Sequence, residues 1–339
     1  MTDRRRFLRD LAATGAAATL APLTLGATTP PSSSQALIRP PALRHGGTIG
    51  LASPAGASYT DEGLREVETL LAERGYATKR APNVLETYGY MGGTDEQRAS
   101  DLHTLFADDE VDAILPLRGG WGCARVLPLL DYDLIRAHPK VVCGYSDVTS
   151  LLSGLYAQAG LVGFHGPVGT STWNAITLRY WLPSVAGGTF SATEPDEDRI
   201  TITPGVAEGP LFGGNLTVLS ALVGTPYFPD TTGHVLFLED VGEDPYRIDR
   251  MLTHLALAGV LGGAAAVYFG DCRNCQADEG SKSLTLDQVL RDHLKPLGVP
   301  VWKGRMVGHV ADKLTLPIGV RTRVDASTGT IQTLESATA

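Results

Sequence analysis

The chain has 339 residues, 43% of them hydrophobic and 19% charged, with a formal net charge of −9. That length suggests two domains rather than one. The acidic balance argues against nucleic acid or an anionic membrane surface as a partner and leaves the substrate open.

Arg4-Arg5-Arg6-Phe7-Leu8-Arg9, followed by a weakly apolar run from Leu11 to Leu25, reads as a twin-arginine export leader over residues 1–27. The run is shorter than the roughly 20 apolar residues that span a bilayer. No cysteine follows it, so no stable membrane anchor is expected. The alternative is a plain amphipathic N-terminal helix. Export by this route carries folded proteins, which makes the periplasm the expected location. Removing the leader's net +2 from −9 leaves a mature chain near −11. Residues 28–44, rich in Pro, Ser and Thr as far as Pro41, read as a flexible spacer.

From 45 to 170 strand and helix signals alternate. Thr48 to Ser53 is an apolar strand. Leu64, Val67, Leu70 and Leu71 recur at helical spacing before Gly75, and Thr94-Asp-Glu-Gln97 is a capping box opening a second helix. Val111 to Leu117 is a buried strand that runs into Arg118-Gly119-Gly120-Trp121-Gly122. Val141 to Gly144 is another, followed by Tyr145-Ser146-Asp147 and the helical Leu151, Leu152 and Leu155; a last strand lies near Leu161 to Phe164. Such alternation predicts a parallel sheet, whose ligands sit outside the carboxyl ends of its strands. Ser146 and the Gly119-Gly120 turn both fall at that edge.

The pattern weakens between 171 and 204, which reads as a connection. Short strands (Ile200 to Ile202, Val235 to Leu238, Ala265 to Phe269, Arg321 to Val324) and one clear helix from about Tyr246 to Leu257 predict a β-rich α+β domain over 205–335. Of the four cysteines, Cys123, Cys143, Cys272 and Cys275, the last two are spaced as Cys-Arg-Asn-Cys. They read as incidental thiols, with a disulfide, a redox pair or half of a zinc site as alternatives.

A serine at a strand-to-helix turn has its hydroxyl held out at the sheet edge, beside backbone N–H groups at a helix start. That suits a nucleophile attacking a carbonyl, although Ser146 and Asp147 also suit an ordinary N-cap. Its base would be a histidine. His309 sits in a Gly-flanked loop, His165 ends the strand after the serine strand, and His254 lies within a helix and reads as structural. Spacing does not choose between His309 and His165. Glu239, just past a buried strand, is placed to orient a base, or is part of a plain acidic turn with Glu243 and Asp244. The Gly119-Gly120 turn and the Asp147 N–H would form an oxyanion hole. The rival reading of that turn, a phosphate cradle, lacks a Walker lysine or a G-x-G-x-x-G.

Thr94-Asp-Glu-Gln-Arg98, Leu117-Arg-Gly-Gly-Trp-Gly122, Gly144-Tyr-Ser-Asp147, His165-Gly-Pro167, Phe212-Gly-Gly-Asn-Leu216, Leu238-Glu-Asp-Val-Gly-Glu243 with Tyr246-Arg-Ile-Asp-Arg250, and Gly308-His309 with Leu316-Pro-Ile-Gly319 occur in this order. In them the chain resembles the LD-carboxypeptidases, serine peptidases of cell-wall recycling related to the microcin C immunity peptidases, from about residue 46 to 325. The resemblance implies a flavodoxin-like N-terminal domain joined to a β-rich C-terminal domain with the site in the cleft. It implies a Ser146, His309, Glu239 triad with oxyanion donors from Asp147 and Gly119/Gly120, no metal or cofactor, and a homodimer.

The expected reaction is release of terminal D-alanine from a murein tetrapeptide, a small muropeptide substrate. Arg118, Asn215, Arg247 and Lys313 are candidates for binding its free carboxylate. The alternatives are an immunity-type peptidase acting on aminoacyl-nucleotide conjugates and a non-catalytic periplasmic peptide-binding protein. The immunity branch uses an aromatic clamp, for which Trp173 and Trp181 are the candidates here. Two features depart from pattern. The turn is not the G-x-S-x-G of α/β-hydrolases, and an export leader is absent from many family members, which act in the cytosol.

Overall fold

The computed structural model describes residues 36–339 apart from Tyr59, Asp196 and Asp198. The expected leader and residues 28–35 of the expected spacer lie outside the described residues.

The first half is built from β1 (Thr48–Ala52), α1 (Asp61–Ala72), β2 (Ala77–Arg80), α2 (Asp95–Ala107), β3 (Ala113–Pro116), α3 (Cys123–Val126), α4 (Tyr132–Ala137), β4 (Val141–Gly144), α5 (Val148–Gly154) and β5 (Phe164–His165). Strands β3 and β4 are buried along their whole length, as apolar runs covered on both faces should be. Helix α1 buries Leu64, Val67 and Leu71, and Thr60 caps it by accepting from Gly63 N. The capping box forms as read, with Thr94 and Gln97 bonding each other's backbone N–H. The strand order is β2-β1-β3-β4-β5, all parallel, so the order reverses between β1 and β3. This is the flavodoxin-like arrangement, which opens a crevice at that reversal.

The second half contributes α6 (Ala175–Val185), β6 (Ser191–Thr193), β7 (Ile200–Thr203), β8 (Val206–Asn215), α7 (Leu216–Leu222), β9 (Val235–Val241), α8 (Pro245–Leu257), β10 (Ala266–Arg273), α9 (Leu286–Leu294), β11 (Val301–Lys303), β12 (Leu316–Pro317), β13 (Arg321–Asp325) and β14 (Thr330–Thr333). Its eight-stranded sheet runs β6-β14-β13-β8-β9-β10-β11-β7. The neighbours β8, β9, β10 and β11 are parallel, with α7, α8 and α9 in the successive crossovers. The strand–helix alternation of the first half is thus repeated, with antiparallel strands added at both sides. Both parallel sets present their carboxyl ends to the site.

Three boundaries differ from the sequence reading. The spacer ends earlier than 44: Ile38 pairs with Leu161, and Leu43 is 1% exposed, because these apolar residues gain more by burial than in solvent. The expected connection holds α6, capped by Asn174, and β6, which takes one outer edge of the second sheet, while β7, the strand read at Ile200 to Ile202, takes the other. Pro183 and Gly187-Gly188 had masked that helix by marking only its end. Finally, β12 belongs to the first sheet, antiparallel on β5, although it follows most of the second domain in sequence.

The cysteine reading is also corrected. Cys272 and Cys275 form a disulfide, their Cα atoms 5.5 Å apart, with Asn274 between them in a left-handed conformation at φ 57° that turns the chain back. Cys123 and Cys143 are free and buried.

Candidate active site

Strand β4 ends at Gly144, where a Cβ would meet Val148 Cγ1 at 2.7 Å, so the chain turns at once. Ser146 takes the turn with φ 62°, a left-handed conformation that costs a residue with a side chain about 1–3 kcal/mol and tends to persist at functional sites. The helix follows immediately, its first bond running from Thr149 N to Ser146 O at 2.9 Å. Asp147 faces inward, where Oδ2 accepts from Cys123 N at 2.8 Å and burial pushes its carboxyl up. The serine turn and the α3 start are thereby fastened together.

The Gly119-Gly120 turn lies directly against the serine. A Cβ on Gly119 would be 2.8 Å from Ser146 Cβ and 2.9 Å from Ser146 Oγ. Gly120 has φ 119°, open to glycine. Among the described residues, the N–H groups of Gly120 and Asp147 donate to no protein acceptor. Arg98, 1% exposed, holds the crevice walls: Nη1 donates to Pro54 O after β1 (2.5 Å) and to Gly122 O after β3 (2.7 Å), while Nη2 reaches Asp95.

Glu239 is near the end of β9, fully buried, and its Oε2 accepts from His309 Nδ1 at 2.8 Å. Gly308 makes room for the pair, since a Cβ there would lie 3.2 Å from that oxygen. The imidazole packs edge-on against Tyr145, the residue before the serine, with ring centroids 4.9 Å apart. Among the described residues no hydrogen bond joins Ser146 Oγ to His309. Catalytic bonds of this kind are often long until substrate is bound.

The geometry separates His309 from His165, the two histidines left open by spacing, and agrees with the structural reading of His254. Only His309 of the three bonds a carboxylate. His165 is buried against Phe237 and Tyr145, and burial draws its imidazole down to about 4, so it stays neutral. His254 is exposed on α8.

The four substrate-binding candidates lie apart. Arg118 Nη1 donates to Ala57 O at 3.3 Å beside the crevice. Asn215 is occupied at both ends of its amide, accepting from Val218 N and donating to Asp240 Oδ1, each at 3.1 Å. Arg247 stands in the first turn of α8, 3.7 Å from Glu243. Lys313 is buried beneath Tyr145, its Nζ 3.8 Å from the ring centroid. A cleft of about 1240 Å³ extends from His309 past Asp271 and the disulfide toward Leu286. Trp173 and Trp181, the clamp candidates, are both buried in the core and packed on each other.

Sequence reading missed three supports. Arg98 sat inside a quoted motif without a role. Asp240, next to Glu239, accepts from Asn215, from Thr217 through both N–H and hydroxyl, and from Val241, while burial pushes its carboxyl up to about 6. Tyr145 was passed over because only its contacts, not its spacing, mark it.

Residues 49–166 match the LD-carboxypeptidase N-terminal domain and residues 208–324 the LD-carboxypeptidase C-terminal domain. The chain belongs to the LD-carboxypeptidase family. A "Probable murein peptide carboxypeptidase" of Bacillus subtilis is 37% identical over 85% of this chain and 92% of its own length. A solved structure of the microcin C7 self-immunity protein MccF superposes with a TM-score of 0.81 at 26% identity, covering 89% of this chain and all of that one. The muramoyltetrapeptide carboxypeptidase of Oxalobacter formigenes gives 0.76 at 29% identity, covering 84% and 97%. This LD-carboxypeptidase is accordingly a serine-type carboxypeptidase, a hydrolase of the S66 peptidases, with the two-domain fold of those structures.

Proposed function

We propose that this LD-carboxypeptidase releases the terminal D-alanine of a murein tetrapeptide through an acyl-enzyme on Ser146. The observation that carries the reading is the buried Glu239–His309 bond, 2.8 Å long, beside a serine in a left-handed turn. Ser146 Oγ attacks the amide carbonyl after the L-centre, and His309 takes the hydroxyl proton. His309 then delivers that proton to the departing amine, and water repeats the sequence on the ester. Glu239 accepts from Nδ1, which leaves Nε2 as the basic nitrogen and stabilises the imidazolium. The N–H groups of Asp147 and of the Gly119/Gly120 turn receive the oxyanion, each worth about 3 kcal/mol.

Arg118 is the carboxylate-binding candidate best supported by position, because it lies at the crevice. Export by a twin-arginine leader, action in the periplasm and a homodimeric state belong to the same reading. The test is D-alanine release from tri-, tetra- and pentapeptides by the mature protein and by Ser146→Ala. A folded Ser146→Ala protein with most of its activity would remove the mechanism.

A second reading, cleavage of aminoacyl-nucleotide conjugates, is favoured by the TM-score of 0.81 with MccF against 0.76 with the muramoyltetrapeptide enzyme. The burial of Trp173 and Trp181 weighs against it, because neither can stack on a base from the core. Competing the two substrate classes in one assay decides the order.

A further inference from the structure

Lys313 takes no part in the steps above, yet its side chain is placed at their centre. It is 3% exposed, and its Nζ lies 3.8 Å from the centroid of the Tyr145 ring. Among the described residues that ammonium donates no hydrogen bond, while its backbone N–H reaches Thr177 Oγ1 at 3.5 Å. An ammonium with no protein acceptor on a side chain this deeply buried is costly. What it gains here is a ring face, which attracts a cation, and the field of a nearby carboxylate.

The titratable groups around it are Glu239 from β9, Cys143 from β4, His165 from β5, Tyr145 from the serine turn and His309 from its own loop, while α6 contributes the uncharged Thr177. Burial pushes the Cys143 thiol up to about 12 and draws His165 down to about 4, so both are neutral at pH 7. The Glu239 carboxylate and the Lys313 ammonium are then the opposed charges of the cluster.

A lysine bonded directly to Glu239 would compete with His309 for the carboxylate oxygens. Placed on the Tyr145 ring instead, it attracts Glu239 through space and leaves Oε2 to Nδ1. Tyr145 in turn contacts His309 and directly precedes Ser146, so the force that fixes its ring fixes the approach of the serine turn to the base.

We propose that Lys313 is a positioning residue of this site, whose ammonium clamps Tyr145 against His309 and supplies the counter-charge of Glu239. The role rests on the hydrolytic reading above. Burial draws the ammonium down to about 8, against the opposing pull of Glu239, so the clamp loses its charge on the alkaline side of neutrality.

The experiment measures kcat and KM for D-alanine release by wild type, Lys313→Met and Lys313→Arg from about pH 6 to about pH 10, with a thermal melt of each. Wild type is expected to lose kcat above about pH 8. Lys313→Met should lose about tenfold or more in kcat at neutral pH, keep KM within about twofold, and lack that alkaline fall. Lys313→Arg, which stays charged, should recover part of the lost kcat and hold it through the alkaline range. A Lys313→Met protein within about twofold of wild type overturns the proposal. So do two equally impaired variants that keep the wild-type alkaline fall, since that marks a packing role alone. If neither variant melts cooperatively, the wild-type profile decides, and absence of a fall near pH 8 overturns the role. A Ser146→Ala protein that still releases D-alanine overturns the hydrolytic reading itself, a result separate from all of these.

Discussion

Gly119 stands so close to Ser146 that a Cβ on the glycine would lie 2.8 Å from the serine's own Cβ. The turn after β3 therefore rests on the side chain after β4, and only a residue without a side chain allows it. Gly119→Ala is expected to move the two turns apart and lower kcat by on the order of 10²–10³, the effect of losing about one oxyanion donor. Cooperative unfolding should survive. Single-turnover D-alanine release together with a thermal melt separates the two effects.

Glu239 is fully buried with Oε2 on His309, and Oε1 has no partner among the described residues. Glu239→Gln keeps the shape but offers an amide that can turn its NH2 toward Nδ1. The imidazole would then carry its proton on the wrong nitrogen. We expect kcat to fall by about 10³–10⁴, with the fold retained. A loss under about tenfold would argue against an orienting role.

Arg98 joins the loops on both sides of the β1/β3 crevice through Pro54 O and Gly122 O. Arg98→Met leaves Pro54 O without its donor, while Gly122 O keeps Arg125 N and Asp95 keeps the Arg125 guanidinium, so the expected cost is about 1–3 kcal/mol. Arg98→Lys should recover little, because one ammonium cannot reproduce the planar fork. Urea midpoints for the three proteins give the comparison, and unchanged midpoints would show that the walls hold without it.

His165 is 2% exposed, and burial lowers its folded pKa from 6.5 to about 4. A base that is neutral when folded and protonated when unfolded gives stability that is present above the unfolded value. That stability is lost as pH falls through the window from about 6.5 to about 4. The loss is about 3 kcal/mol. His165→Gln should therefore show a shallower fall in unfolding free energy than wild type between those limits. Parallel curves would mean that the ring is solvated or paired on folding.

The strand–turn–helix at Ser146, the capping box of α2, the strand alternation and the acid near the end of β9 were all legible locally. Each depends on chain direction, side-chain period or a cap, properties that act over one turn or one strand. His309 and Glu239 are 70 residues apart, and their bond exists because β9 and the loop after β11 meet at one sheet edge. No local window holds that information, so spacing left His165 and His309 equal until burial and the carboxylate distinguished them.

The family resemblance named the candidate triad, but it did not say what holds those residues. The amino-acid order by itself determined most of the elements, the α/β character of the first half and the serine's place at a strand end. Only the tertiary structure decided that β12 crosses to the first sheet, that Cys272 closes on Cys275, and that Lys313 lies under Tyr145. Those outcomes depend on which apolar faces are buried together, and that is settled by packing of the whole chain rather than by any segment of it.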